Sequence, residues 1–507
     1  MSLKFKIVFK EAFLILSSIF LSVFILPFVL VLFVCPLYMY RRIVIFFAPI
    51  FQALFQAPLS LNDFLVVCDD IHGRPRNSCC GVIYLKGRPA FADVVRRVEK
   101  ALDGRPELTS TLTRWMSVYF WKTCQNFSLS NHVTQNDESD PDKISDLLIN
   151  LIEKGYPLEN PLWEFIYFRN YAHPEFGTSS AIVLRFHHLL GDGLAYMALI
   201  RDLFDPSPTL GTEIEKILKT LRTKLTLSPW KKFCYLGELL FITPSQTLYY
   251  YLKGLNSEVV PIKDKKTVNI NSGVTHAATR VDLSVLKDIS KKTGVKVTSI
   301  IHAGVTGAIR RLLLEKGSNS DGDLSTMYVL PKMNHPGTMT NNSFAMPLIA
   351  PMTPEPSQAA RLARISDQFD RILFSPLSLG MMAATSLVGL MYGTFGTSST
   401  RMPHVASCIH SNVVFVGEPM KLLGHVAETG ILYPGLQPGG HHFVVTTTSY
   451  NGKLTVQLTG SRVVFHKRED LVKVADYVRE EFDMLNKDGN VENGDIQRFD
   501  EHDKKNV

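Results

Sequence analysis

The chain is 507 residues long, with 46% hydrophobic residues, 20% charged residues and a formal net charge of +7. This length suffices for two domains of ordinary size plus an appendage, and the composition allows a sizeable core. The basic excess suits the phosphates of CoA, an anionic lipid surface or a nucleic acid. The lysine clusters are short and lie in a mixed-charge background without interleaved aromatic residues, so we expect no nucleic-acid partner.

The seven cysteines predict neither a metal site nor a disulfide framework. They are odd in number, irregularly spaced and form no CxxC motif. We therefore expect no metal, and the free thiols favour a catalytic domain that faces the cytosol.

Residues 12–40 contain no charged side chain. A bilayer core needs about 20 apolar residues as a helix, and this run is longer, so we predict membrane attachment rather than a cleaved signal peptide. Pro27 and Pro36 leave two alternatives open, a kinked helix and a re-entrant hairpin. Residues 43–57 are a second apolar stretch, suited to the membrane interface. Basic residues flank residues 12–40 at both ends and leave the orientation open.

Strand and helix patterns alternate between residues 58 and 205. We predict a strand at 81–85, helices at 91–102 and 144–154, and a solvated acidic loop at 134–143. A further strand at 179–186 precedes a helix at 194–204.

The turn between this strand and this helix has the sequence HHLLGDG, residues 187–193. Successive strand side chains point to opposite faces, so only one of His187 and His188 faces a given cleft. A rigidly held imidazole suits a general base that deprotonates an alcohol or an amine. Asp192 either accepts a proton or holds the turn by pairing with an arginine. Gly191 and Gly193 allow backbone conformations that a Cβ forbids.

Residues 206–271 show no strand pattern and predict helices and a long connection. A second unit begins near residue 275 with a strand at 276–283, a helix to residue 292 with Ser284 as its N-cap, and a longer helix at 299–315. The small, apolar residues 380–396 predict a buried helix that lines a lipid tunnel. From residue 487 the polar sequence lacks periodicity and predicts a disordered tail.

The HHxxxDG pattern resembles the motif of the chloramphenicol acetyltransferase-like superfamily. Six further segments are similar, in order, to the PLW, GN…LP, SNVPGP, GHKV, YP and SYNG motifs of the wax ester synthase/diacylglycerol acyltransferase family of acyl-CoA:alcohol acyltransferases. They are NPLW at 160–163, NNSFAMPL at 341–348, SNV at 411–413, LGHV at 423–426, YP at 433–434 and SYNGKL at 449–454. The resemblance spans about residues 58–485.

Three departures bear on the alcohol side and the substrate class rather than on the chemistry at His188. The family's Asn-Asp pair falls on Thr298 and Ser299, the Pro of SNVPGP is Val414, and the first Gly of the GN pair is Asn341.

The resemblance implies an α/β fold of two chloramphenicol-acetyltransferase-like subdomains with a tunnel between them, plus an N-terminal membrane helix. The expected division is a membrane anchor at 1–57, an N-terminal acyltransferase subdomain with HHxxxDG at 58–205 and a helical linker at 206–274. A C-terminal acyltransferase subdomain at 275–485 and a disordered tail at 486–507 complete it.

The resemblance also implies that His188 is the general base, that Asp192 orients the turn and that Gly193 keeps the tunnel mouth open. His187, the other motif histidine, is expected to pack behind the site. Ser411 and Asn412 are candidate substrate contacts on the opposite wall, with a capped loop as the alternative. Two further substrate-binding candidates, for which packing or structural roles are the favoured alternatives, are Trp163 and Asn342. No cofactor is implied beyond acyl-CoA as co-substrate.

We therefore expect a membrane-bound O-acyltransferase that joins a fatty acyl group from acyl-CoA to a long-chain alcohol, to diacylglycerol or to both. The alternatives are an acyltransferase for a sterol or an amine, and a catalytically silent lipid-binding scaffold. The expected location is the endoplasmic reticulum membrane, with the plasma membrane and lipid droplets as alternatives.

Overall fold

The computed structural model describes residues 3–171, 179–207, 228–255, 273–317, 322–332, 335–353, 357–397, 405–414, 417–436 and 441–488, with a few isolated residues between these ranges. Residues 489–507 of the expected tail and much of the expected linker lie outside the described residues.

Residues 3–51 form one continuous rod, called the N-terminal helix below. It comprises α1 (Leu3–Phe20), α2 (Leu26–Val29) and α3 (Cys35–Phe51), joined by π-helical turns at Leu21–Ile25 and Leu30–Val34. The wide turns directly precede the helical segments that contain Pro27 and Pro36, whose rings disturb the regular hydrogen-bond ladder. The alternative of a re-entrant hairpin is therefore wrong. Residues 8–51 have a mean hydropathy of 2.9 and are long and apolar enough to cross a membrane.

The first half of the remaining chain is built on a six-stranded sheet of order β12-β13-β2-β7-β6-β5. Its strands are β2 (Ser78–Lys86), β5 (Val133–Asn136), β6 (Trp163–Phe168), β7 (Ser180–His187), β12 (Lys421–Leu422) and β13 (His425–Pro434). Strand β7, which ends in the first motif histidine, is therefore interior and has its register fixed on both sides by β2 and β6.

Helices and a small sheet complete the first half. The helices are α4 (Phe64–Val67), α5 (Phe91–Ala101), α6 (Pro141–Glu153) and α7 (Gly193–Leu203). The small sheet, of order β1-β4-β3, contains β1 (Phe55–Pro58), β3 (Ser110–Trp115) and β4 (Val118–Thr123). Val44 and Ala48 of α3 pack on Val118 and Phe120 of this sheet, so the end of the N-terminal helix is part of a folded core.

The second half repeats the plan with a sheet of order β10-β9-β11-β14-β15-β8. Its strands are β8 (Val274–Asp282), β9 (Asp323–Pro331), β10 (Ser343–Pro351), β11 (Cys408–Val414), β14 (Phe443–Tyr450) and β15 (Lys453–Ser461). The described helices from residue 228 onward are α8 (Pro229–Phe241), α9 (Thr243–Leu255), α10 (Leu283–Thr293), α11 (Val297–Glu315), α12 (Gln358–Phe374), α13 (Leu377–Phe395) and α14 (Arg468–Asp488).

One hairpin crosses between the halves. Strands β12 and β13 follow β11 in sequence, yet β13 pairs antiparallel with β2 of the first sheet. The Tyr450 hydroxyl accepts a hydrogen bond from the Met420 amide at 2.8 Å and donates one to the Ala427 carbonyl at 2.7 Å. These bonds anchor the crossing hairpin to the end of β14. A linear division of the chain at residue 275 consequently does not separate the two sheets.

The structure confirms the predicted α/β class and the predicted strand and helix segments to within a few residues. The N-cap expected at Ser284 is wrong, because β8 runs directly into α10 and the N-cap is Asp282, whose side chain pairs with Lys453 instead of capping. The predicted tunnel helix at 380–396 is α13, and three of its side chains, Thr385, Val388 and Tyr392, line a cavity.

A directed chain of hydrogen bonds is buried in the second half. The Thr447 hydroxyl donates to Asn412 Oδ1 at 2.9 Å, so it accepts from His410 Nε2 at 3.2 Å. His410 Nδ1 then accepts from His302 Nδ1 at 2.9 Å, which leaves His302 Nε2 to accept from the Thr306 hydroxyl. Both imidazoles are thus satisfied in the neutral form. Burial lowers the pKa of His302 to about 3 and holds the pKa of His410 well below its ordinary value.

This histidine pair predicts a loss of stability in acid. In the unfolded chain both histidines titrate near pH 6.5, so below that pH the unfolded state binds more protons and the free energy of unfolding falls. The loss is at most about 1.4 kcal/mol per pH unit for each histidine. Denaturant unfolding between pH 6.5 and 5 should have a shallower pH slope in His302→Leu than in the unaltered chain. His466→Gln, at an exposed position, should leave the slope unchanged, and an equal slope in His302→Leu would contradict the assignment.

Candidate active site

A cavity of about 580 Å³ lies between the two sheets. Side chains from β2, β7 and β13 form one wall, and side chains from β9, β10, β11 and β14 form the other. The lining is mostly apolar, with His188 and Ser411 among the few polar groups. A concave, apolar cavity of this size with a few polar groups is typical of small-molecule sites.

The alternation of β7 brings the second motif histidine to this cavity. Leu184, Phe186 and His188 line it, whereas Arg185 and His187 point to the opposite side of the sheet and are buried. The predicted inequivalence of the two histidines is therefore seen in the structure.

Two side chains, Asn341 and behind it Asp63, orient the His188 ring. Its Nδ1 lies 3.0 Å from Asn341 Oδ1, and Asn341 Nδ2 donates to the His188 carbonyl at 2.7 Å and to Asp63 Oδ1 at 2.9 Å. Because both of those acceptors are oxygens, the amide can turn only its Oδ1 toward the ring. His188 Nδ1 therefore carries the proton, and Nε2 is left with no hydrogen-bond partner among the described residues.

The carboxylate that anchors Asn341 is itself buried. Asp63 also accepts hydrogen bonds from the Ser60 amide at 2.8 Å and from the Asn341 amide at 3.4 Å. Burial raises the pKa of Asp63, and the hydrogen bonds from Asn341 and Ser60 oppose that shift. The resulting chain Asp63–Asn341–His188 places a buried acceptor behind the imidazole.

His187 has a structural environment. Its Nδ1 accepts the Leu189 amide at 3.2 Å, so its Nε2 donates to Asp69 Oδ2 at 3.1 Å. Burial lowers the pKa of His187, and the carboxylate opposes that shift. Asp69 also accepts the amides of Arg76 and Asn77. This pair connects the end of β7 to the loop before β2 and does not line the cavity.

Asp192 holds the motif turn. Its carboxylate accepts the Leu194 and Ala195 amides at the start of α7, and its second partner is His335 Nε2 at 2.9 Å. It also accepts the Asn342 amide at 2.8 Å. The predicted orienting role agrees with this geometry, but the expected arginine partner is wrong. A neutral histidine suffices, because the Gly337 amide donates to His335 Nδ1 and leaves Nε2 to donate.

The two glycines of the motif are required because there is no room for a side chain at either position, and neither has a left-handed backbone conformation. Gly191 has an extended backbone, and a Cβ on it would lie 2.6 Å from the Ala195 Cβ. A Cβ on Gly193 would lie 3.2 Å from a methyl group of Val413, across the cavity. The predicted need for a forbidden conformation is wrong for both residues, and close approach is the reason for glycine.

The remaining predicted residues separate into two groups. Ser411 lines the cavity on the wall opposite β7, whereas Asn412, one residue later, points into the buried histidine chain. Trp163 is buried, donates to the Leu108 carbonyl at 2.7 Å and stacks on His132, so the structure favours the packing alternative. Asn342 contributes its backbone amide to Asp192 and does not line the cavity.

Sequence reasoning missed four site residues, namely Asp63, Asp69, His335 and Asn341. Asp63 lies outside the motifs described above, and Asn341 occupies the position of the first Gly in the family's GN pair. Their partners lie more than 100 residues away in sequence, and no local pattern indicates such pairs. Among the residues that the structure describes, no group of three or more His, Cys, Asp or Glu side chains is arranged to hold a metal ion.

Comparisons with known proteins agree with this architecture. Residues 341–486 match the model of the WS/DGAT C-terminal domain. The O-acyltransferase WSD of Acinetobacter baylyi is 25% identical over 388 residues, which cover 70% of this chain and 81% of that protein.

Solved structures share the fold. The wax ester synthase/diacylglycerol acyltransferase from Marinobacter aquaeolei VT8 aligns over 86% of this chain and 100% of its own, with a TM-score of 0.52 and 15% identity. The starter condensation domain of rhizomide synthetase, in complex with C8-CoA and Leu-SNAC, aligns over 86% and 95% with a TM-score of 0.58 and 11% identity.

The expected two-subdomain fold is confirmed by these alignments. The matching C-terminal domain and the related O-acyltransferase make this chain similar to the wax ester synthase/diacylglycerol acyltransferase family.

Proposed function

We propose that the protein transfers a fatty acyl group from acyl-CoA to the hydroxyl of a long-chain alcohol, of diacylglycerol or of both. The observation that carries this proposal is the His188 ring, which presents a free Nε2 to an apolar cavity while Asn341 holds its Nδ1. This arrangement supports a general base for a hydroxyl substrate in a lipid-sized site.

In the proposed reaction, His188 Nε2 removes the hydroxyl proton as the oxygen attacks the thioester carbonyl. The C–S bond then breaks, and the imidazolium returns its proton to the leaving CoA sulfur. During the step Asn341 Oδ1 accepts the hydrogen bond from His188 Nδ1–H, which keeps its proton, and so stabilises the positive ring. No covalent acyl-enzyme is required. Ser411, on the opposite wall, is a candidate donor to the substrate.

A long-chain alcohol and diacylglycerol require the same features of the site. Each supplies a hydroxyl attached to apolar chains, and the lining of the cavity is mostly apolar. CoA as the donor is supported by the family and by the C8-CoA bound in the rhizomide synthetase domain. We further propose that the protein works at the endoplasmic reticulum membrane, supported by the apolar N-terminal helix.

Product analysis tests the acceptor class. Cells that lack wax esters and triacylglycerol should accumulate one or both when they express the chain with a long-chain alcohol supplied. Lipid extracts separated by thin-layer chromatography report both products together. Sterol esters or fatty amides as the only new lipids would contradict the proposal, and cells that express His188→Ala are the matched control.

The two histidines should respond differently to substitution. We expect His188→Ala to lower the rate of ester formation by about 10²–10⁴-fold, the usual contribution of a general base, with little effect on stability. His187→Ala should instead lower the thermal midpoint of unfolding, because it removes the Nε2–H group that donates a hydrogen bond to the buried Asp69 carboxylate. The measurement is acyl-CoA consumption per folded molecule. A fully active His188→Ala would eliminate the base mechanism.

The neighbouring asparagines provide a second contrast. Asn341→Ala removes the acceptor for His188 Nδ1, so we expect kcat to fall roughly 10- to 100-fold, part of the contribution of the base, with KM nearly unchanged. Asn342→Ala keeps the backbone amide that binds Asp192 and should remain near full activity. Equal losses of kcat in both variants would mean that the substitutions disturb the segment before β10 and not the orientation of the His188 ring.

A further inference from the structure

The cavity extends beyond the active site to two helices of the second half. Tyr251 and Leu255 of α9 line it, as do Thr385, Val388 and Tyr392 of α13. Leu255 is also 49% exposed, so it lies at an opening of the cavity onto the molecular surface. The two helices pack closely, since a Cβ on Gly380 of α13 would lie 2.4 Å from the Thr247 hydroxyl of α9.

The N-terminal helix lies on the other side of these two helices. Tyr249 and Lys253 of α9 bind Glu11, with Lys253 Nζ at 3.1 Å, and they are on the face of α9 opposite to Tyr251 and Leu255. The later part of the N-terminal helix contacts α13. One layer of helix, about 10 Å thick, therefore separates the apolar rod from the cavity.

Both ends of the rod are held by the same folded body. Glu11 binds α9 near one end, and the Arg41 guanidinium donates to the Leu59 carbonyl and lies over the Phe64 ring near the other. Thirty residues of helix separate these contacts, about 45 Å. The rod consequently lies along the surface of the domain instead of projecting away from it, while most of its side chains remain exposed.

Helix α8 is a second helix that exposes large apolar side chains. It packs against α9 and α13, yet none of its residues is buried. Trp230, Phe233 and Phe241 lie on one face at helical spacing, and Phe233 and Phe241 are 68% and 81% exposed. Lys231 and Lys232 lie off this face. An exposed helix with aromatic residues on one face and lysines beside it is typical of helices that lie in a membrane interface.

We propose that α8 and the N-terminal helix form one bilayer-contacting surface, and that the acceptor lipid enters the cavity from the bilayer at the end of α9, where Leu255 is exposed. The occupant is a phospholipid bilayer because α8, with its exposed aromatic face, packs on the same two helices, α9 and α13, that contact the apolar rod of 44 residues. A long-chain alcohol or diacylglycerol is concentrated in that bilayer, so this opening admits it without passage through water. The entry route rests on the function proposed above.

Acceptors of different solubility test the route. The full chain is assayed with hexadecanol dissolved in phosphatidylcholine vesicles and with water-soluble 1-hexanol. We expect Phe233→Glu combined with Phe241→Glu to raise the apparent KM for hexadecanol at least tenfold and to leave the 1-hexanol kinetics unchanged. Leu158→Glu, at a 72% exposed position in the first half, is the matched control and should change neither. An unchanged hexadecanol KM, or equal losses with both acceptors, would overturn the route.

A fluorescence measurement that needs no catalysis tests the bilayer-contacting surface independently of the proposed reaction. In a chain with Cys35, Cys124 and Cys234 replaced by serine, bimane is attached to Leu255→Cys or to Leu158→Cys. Lipids with brominated tails should quench bimane at position 255 at least twofold more than at position 158. Equal quenching would overturn the route even in an active protein. Strong quenching at position 255 without any ester from the unaltered chain would support the surface and refute the proposed function.

Discussion

The site depends on the Asn341 side chain, because this one amide joins the two halves of the molecule at the reactive ring. It comes from the segment before β10 in the second half, and its hydrogen bonds reach His188 and Asp63 in the first half. Both acceptors of its NH₂ group are fixed, so its oxygen can only face the imidazole. The protonation pattern of His188 is therefore set by the docking of one half on the other.

Asp192, four residues after His188, provides further hydrogen bonds between the two halves. Asp192 caps α7 in the first half and binds His335 and the Asn342 amide of the second half. The crossing hairpin adds β13 to the first sheet, with Tyr450 as its anchor. Because buried charged groups are costly without their partners, separation of the halves would remove the hydrogen bonds of Asp192 to His335 and Asn342 and those of Asp63 to Asn341. The cavity, which has one wall from each half, is consequently held open by polar contacts around its rim.

Local patterns predicted most of the fold and only part of the site. The alternation of side chains along β7 predicted that only one motif histidine faces the cavity, and the family resemblance identified it as His188. They could not identify Asn341, since its contact with His188 spans 153 residues and depends on how two sheets dock. The expected arginine partner of Asp192 failed for the same reason, because local sequence does not show which distant side chain completes a buried pair.

The cavity extends from His188 to helices α9 and α13, which contact the N-terminal helix. His188 lies at the end of β7, Leu255 and Tyr392 lie at α9 and α13, and the exposed rod covers the outer side of those helices. In the proposed reaction water competes for the thioester, so an opening onto water would give solvent access to the site. An opening that faces hydrocarbon avoids this competition. The placement of the N-terminal helix along the domain thus bears on the proposed entry of the acceptor as well as on the proposed attachment to a membrane.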